Sequence, residues 1–111
     1  MDVYWSNPRN VAHHLCGALG KDANGAYPAY TGQEARVDLS FCSHLALEGA
    51  NLADVDVFRM GKLLDAPNLR GLSLRNNPGL TEACRASVAE LALRCPQLRA
   101  ENLHWPEQLA P

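Results

Sequence analysis

The chain has 111 residues, 47% hydrophobic and 20% charged, with a formal net charge of −2, which fits one globular domain rather than a disordered chain. Residues 1–66 carry eight acids and five bases, and residues 67–111 carry four acids and five arginines; neither half is basic enough to neutralise phosphates, so nucleic acid is not an expected partner. No apolar run reaches the roughly 20 residues that span a bilayer, and residues 1–10 lack the basic-then-apolar order of a signal peptide, so the expectation is an intracellular chain, cytoplasmic or organellar, with no membrane insertion.

In chain order, residues 7–20 predict a helix. Asn7 suits its cap, Pro8 its first position and Gly20 its stop, while Val11, Leu15, Ala18 and Leu19 fall on one face. Residues 21–34 hold the turn formers Asp22, Asn24, Gly25, Pro28, Thr31 and Gly32 and predict a loop, with Tyr27 and Tyr30 available to pin it. Residues 36–41 alternate polar and apolar, the period of a half-buried strand. Residues 51–65 predict a helix capped by Asn51, with Val57, Met60, Leu63 and Leu64 on its buried side and the acids Asp54 and Asp56 at a solvated start. A second strand runs over residues 71–75. A third helix is predicted over 81–94, capped by Thr81, with Glu82 and Arg94 matched to the two ends of its dipole and Cys84, Val88, Leu91 and Cys95 in one stripe. Strands alternating with helices imply an α/β fold with parallel strands.

Residues 69–77 read Leu-Arg-Gly-Leu-Ser-Leu-Arg-Asn-Asn, with Leu80 after them. This satisfies the repeat pattern L-x-x-L-x-L-x-x-N without a gap. Two neighbouring segments align with it. Upstream, Val37, Leu39, Cys42 and Leu45 take the places of Leu72, Leu74, Asn77 and Leu80. Downstream, residues 96–99 repeat residues 67–70, and Leu103 takes the place of Leu74. The offset from Leu72 to Glu101 is 29 residues, within the usual range for such repeats, whereas 35 from Val37 to Leu72 implies an insertion near residues 43–52.

On these residues, and on the stretch from Asn77 to Leu98, the chain resembles the leucine-rich-repeat family, in its ribonuclease-inhibitor-like and cysteine-containing subclasses. The resemblance covers about residues 35–105. It departs from the pattern at Glu34, Glu101 and Pro106. It implies a short right-handed solenoid with parallel strands on the concave face and helices on the convex face. Residues 1–34 would form an N-terminal capping helix and loop. Residues 35–111 would hold about two and a half repeats, with Trp105, Pro106 and Leu109 closing the far end.

The resemblance also implies where binding occurs. Residues flanking the core leucines would point out of the concave face in three rows: Arg36, Gly71 and Ala100; Asp38, Ser73 and Asn102; Ser40, Arg75 and His104. The expected protein-binding residues are therefore Arg36, Asp38, Ser40, Ser73, Arg75, Asn102 and His104, with Arg75 as the anchor. The expected activity is a non-catalytic protein–protein interaction module; the alternative is an accessory subunit buried in a large multiprotein assembly. The expected partner is another protein or a multiprotein complex.

Neither a catalytic residue nor a cofactor is expected. No Ser, His and acid form a known signature, and Gly17 and Gly20 lie at a helix end, not after a strand. His13, His14 and Cys16, and Cys42 with His44, could bind a metal only if the two clusters met, and neither has standard ligand spacing. The cysteines, at 16, 42, 84 and 95, form no Cys-x-x-Cys motif and read as reduced thiols, with Cys84 and Cys95 as small buried apolar residues.

Overall fold

The computed structural model describes residues 8–109. The fold is mixed α/β, with three helices and short parallel strands. The first helix, α1 (Pro8–Ala18), buries Val11, Ala12, Leu15 and Cys16. It stops where glycine predicts it should: Gly20 takes φ +108°, its N–H donates to the Gly17 carbonyl (3.1 Å), and the Lys21 N–H donates to that of Cys16 (3.0 Å). This pair of bonds satisfies helix-end carbonyls, and the left-handed residue it needs favours glycine. Asn7, the expected cap, lies outside the described residues.

Two strands follow the long loop: β1 (Val37–Asp38) and β2 (His44–Ala46). Helix α2 (Asp54–Leu63) leads directly into β3 (Leu64–Asp65). Then come β4 (Gly71–Ser73), α3 (Cys84–Ala92) and β5 (Leu103–His104). β1 pairs with β3, and β4 lies between β2 and β5 in a three-stranded sheet; every pairing is parallel. Leucines of the strands and apolar residues of the helices meet in one core that includes Leu45, Leu72, Met60 and Val88. Among the described residues, no helix is long and apolar enough to cross a membrane.

The register corrects the expected alignment. Leu72 stands beside Leu45, not beside Val37. Val37 pairs with Leu64 and His44 with Gly71, so both partnerships span 27 residues and no insertion separates them. The turns repeat with the same spacing: Gly49 (φ 62°) and Asn76 (φ 60°) are both left-handed. Cys42 therefore takes the position of Leu69, not that of Asn77. At the far end, β5 pairs Leu103 with Leu72, two residues later than the sequence offset predicts, because Ala100–Asn102 form a turn of 3₁₀ helix.

Helix α2 begins at Asp54 rather than near Asn51. Asn51 takes a left-handed turn at φ 58°, Leu52 drops into the core, and the Asp56 carboxylate accepts from the Ala53 N–H (2.8 Å) to cap the start. Asp56 is consequently not solvated, as its position in the sequence leads one to expect. It is 1% exposed and also accepts from Tyr27 Oη (2.6 Å) and Lys21 Nζ (3.1 Å). One turn on, the buried Arg59 donates to the Pro28 carbonyl and to Glu34 (3.3 Å). Its guanidinium lies 5.1 Å from the Tyr27 ring and 5.7 Å from that of Tyr30. The two tyrosines thus pin the loop of residues 21–34 onto α2.

Helices α2 and α3 pack side by side, and Gly61 sets their separation. A Cβ at Gly61 would stand 2.6 Å from the Ser87 carbonyl oxygen. Arg94 joins the same contact: it donates to the Gly61 (2.7 Å) and Leu64 (2.9 Å) carbonyls, closing the end of α2 rather than of its own helix. Gly61→Ala is expected to destabilise the fold by about 1–3 kcal/mol through overpacking. A urea midpoint equal to that of the parent would disprove this close backbone contact.

Candidate functional site

Parallel strands alternate their side chains between two faces. Leu45, Leu47, Leu72 and Leu74 turn into the core. The opposite face carries His44, Ala46 and Glu48 from β2 and its end, then Gly71, Ser73 and Arg75 from β4 and its end, and His104 from β5. Backbone bonds extend this sheet past the strands: Leu47 N–H to the Ser73 carbonyl (2.9 Å), Gly49 N–H to that of Arg75 (3.0 Å) and Leu74 N–H to that of His104 (2.8 Å).

The polar side chains on this face are ordered by one another. Ser73 Oγ donates to Glu48 Oε1 (2.9 Å). Arg75 Nη2 lies 3.1 Å from His104 Nδ1; a guanidinium only donates, so Nδ1 accepts and the imidazole proton sits on Nε2. Gly71 has a steric role, since a Cβ there would come within 2.8 Å of His44 Cδ2. The glycine leaves room for His44 to lie across β4. His44, Glu48 and Arg75 are exposed, whereas Ser73 is buried beneath its neighbours.

Of the seven residues expected to bind a partner, the sheet brings together Ser73, Arg75 and His104, with Asn102 exposed on the turn that enters β5. Arg36, Asp38 and Ser40 stand elsewhere. Asp38 belongs to β1, beside Asp65; its carboxylate accepts from the Ser40 N–H (2.8 Å), and hydrogen bonds from the Ser40 backbone and hydroxyl hold its pKa below the ordinary value. Ser40 in turn accepts at its carbonyl from Asn68 Nδ2 (2.6 Å). Arg36 precedes β1 and is exposed. The residues that occupy the expected positions are His44, Ala46 and Glu48. The signal that identifies them is Leu45-Ala46-Leu47, which lies 27 residues before Leu72-Ser73-Leu74.

The four cysteines are buried. Burial pushes the thiols of Cys16, Cys84 and Cys95 up, and Cys95 Sγ donates to the Ala66 carbonyl (3.2 Å). These cysteines occupy core positions. Among the described residues, no group of three or more His, Cys, Asp and Glu is placed to hold a metal ion. No family model, no curated protein and no solved structure matches this chain.

Proposed function

We propose that the chain is a short leucine-rich-repeat array that binds another protein, without catalysis, through the outward face of β2, β4 and β5. The observation that carries this reading is the row of ordered polar side chains, Glu48, Ser73, Arg75 and His104, laid side by side on three parallel strands. The shared 27-residue register and the matched left-handed turns support the repeat. In such an array the strand face is concave and the helices are convex, with α1 and the 105–109 segment as caps. The exposed side chains of His44, Glu48 and Arg75 on this face offer a partner hydrogen-bond donors and acceptors.

A second reading, a subunit seated in a larger assembly, draws on the opposite side of the molecule. Val55, Phe58 and Leu93 are exposed there, Leu93 at 87%, and Tyr30 lies edge-on to Phe58 at 5.7 Å. Affinity capture with quantitative mass spectrometry separates the two. For the strand-face reading, Arg75→Glu is expected to reduce the captured partner at least about tenfold, while Leu93→Glu retains it. Retention by Arg75→Glu and loss by Leu93→Glu would overturn the strand-face reading in favour of the assembly.

A further inference from the structure

The strand face holds two histidines, His44 on β2 and His104 on β5, with β4 between them. Histidine is the side chain that changes charge in mild acid, between about pH 5 and about pH 8. The two are held differently. His44 Nδ1 lies 3.2 Å from Ser43 Oγ, and a hydroxyl can donate to the neutral ring or accept from the charged one. That contact survives protonation. His104 Nδ1 lies 3.1 Å from Arg75 Nη2, and a guanidinium can only donate. This contact requires the neutral ring. Once Nδ1 carries a proton it has no lone pair to offer, and two cations face each other.

Which partner yields follows from how each is anchored. His104 is half-buried on β5, in register with Ser73, and its carbonyl accepts from the Leu74 N–H (2.8 Å). Arg75 is exposed beyond the end of β4 and carries its charge on a long side chain, so the guanidinium is what moves. A destination lies on the other side of β4. The Gly49 N–H donates to the Arg75 carbonyl (3.0 Å), which makes Glu48 a close neighbour. Glu48 Oε1 accepts from Ser73 Oγ (2.9 Å), and a carboxylate takes further donors at its second oxygen. The acids on the segment of His104 itself are Glu101 and Glu107, exposed on the 3₁₀ turns before and after β5. Carboxylates only accept, so neither can replace Arg75 as the donor to neutral Nδ1.

We infer that the strand face is an acid-sensitive switch: protonation of His104 at Nδ1 releases Arg75, which swings across β4 towards Glu48. Near neutrality the face presents Arg75 ordered by His104; in mild acid it presents two charged histidines and a displaced arginine. The bearing of this switch on a bound protein rests on the strand-face reading, but the switch itself is a property of the free chain.

Side-chain NMR of the full chain from about pH 8 to about pH 5 tests it with no partner present, so its outcome is separate from that of affinity capture with Arg75→Glu. Neutral His104 is expected as the Nε2–H tautomer. The Arg75 Nε–H signal is expected to shift with the same midpoint as the His104 ring. His104→Asn places an acceptor oxygen near the position of Nδ1 but does not titrate, and should abolish the shift of Arg75. His44→Ala, a change at an exposed position, should retain it. An Nδ1–H tautomer, an Arg75 signal that stays still while His104 titrates, a shift that persists in folded His104→Asn, or one that vanishes in His44→Ala would each overturn the inference.

Discussion

Asn77→Ala is expected to destabilise the fold by about 3–6 kcal/mol, as several buried backbone groups lose their partners together. Asn77 is completely buried. Its Nδ2 lies 2.9 Å from the Leu47 carbonyl, 2.9 Å from that of Leu74 and 3.0 Å from that of Arg75. An amide nitrogen has two hydrogens, so these three acceptors share them. Its Oδ1 accepts from the Leu52 N–H (2.9 Å). One side chain thus joins the turn after β2 to the turn after β4. Total stabilities of domains of this size are commonly about 5–15 kcal/mol, so the alanine variant should be near the edge of folding at 37 °C. Asn77→Asp should fall further, because it would face a carboxylate towards the carbonyl oxygens of Leu47, Leu74 and Arg75 without a donor. Gln108→Ala is the milder comparison: it removes bonds to the Asn77 (2.9 Å) and Leu80 (3.2 Å) carbonyls from a more exposed residue. Urea denaturation followed by circular dichroism orders the three. If Asn77→Ala melted with the parent, the role assigned to this side chain would be wrong.

The residues that revealed themselves in the sequence did so through local patterns. The stop of α1 at Gly20 follows from one residue's conformational freedom. The stripe of Cys84, Val88, Leu91 and Cys95 follows from helical spacing, and all four are buried. The β4 strand follows from a gapless motif. The strand that pairs with β4 is less legible in the sequence, because two segments offer alternating residues. Residues 36–41 alternate more cleanly, yet residues 44–47 pair with β4. The choice between them depends on a non-local register. Gly49 must bend where Asn76 bends, and Ala50 stands where an Asn would have marked the unit. At the other end, the 3₁₀ turn of Ala100–Asn102 takes up two residues that no simple periodicity reveals. Ser73, Arg75, Asn102 and His104 follow from β4 and β5, whereas that single misregistration puts Arg36, Asp38 and Ser40, in and around β1, in the place of His44, Ala46 and Glu48.

Asp56 shows a different limit, and it carries the second large effect. Two acids near a helix start normally face water and favour the positive end of the dipole. Asp54 partly does so, accepting from the Thr81 N–H (2.8 Å). Asp56 is buried instead, and the reason lies 29 and 35 residues upstream, in Tyr27 and Lys21. Removing one partner from a buried charged cluster costs about 3–5 kcal/mol, because the others remain desolvated. Asp56→Ala should lose that amount: it leaves the Lys21 ammonium, the Tyr27 hydroxyl and the Ala53 N–H without their acceptor, while the hydrogen bonds from Arg59 still tie the loop of residues 21–34 to α2. Asp56→Asn keeps an acceptor but not the charge, and should lose less.

The same cluster sets a dependence on acidity. Burial acts to raise the pKa of Asp56, but hydrogen bonds from Tyr27, Ala53 and Lys21, with the charge of Lys21, outweigh it and hold the carboxyl below its ordinary value. Burial and the bond to Asp56 push the Tyr27 phenol up, as expected of a donor to a carboxylate. A carboxyl whose folded pKa is depressed stabilises the fold fully above its unfolded value, about 3.9. That contribution is lost as pH falls through the folded pKa. The parent should therefore be most stable above about pH 5 and weaken below about pH 4, and Asp56→Ala should lack the part of that slope due to this residue. Stability measured by urea denaturation from pH 7 to pH 3 tests this. Parallel profiles for parent and variant would mean that Asp56 titrates alike in the folded and unfolded chains, and that the buried cluster does not hold it charged.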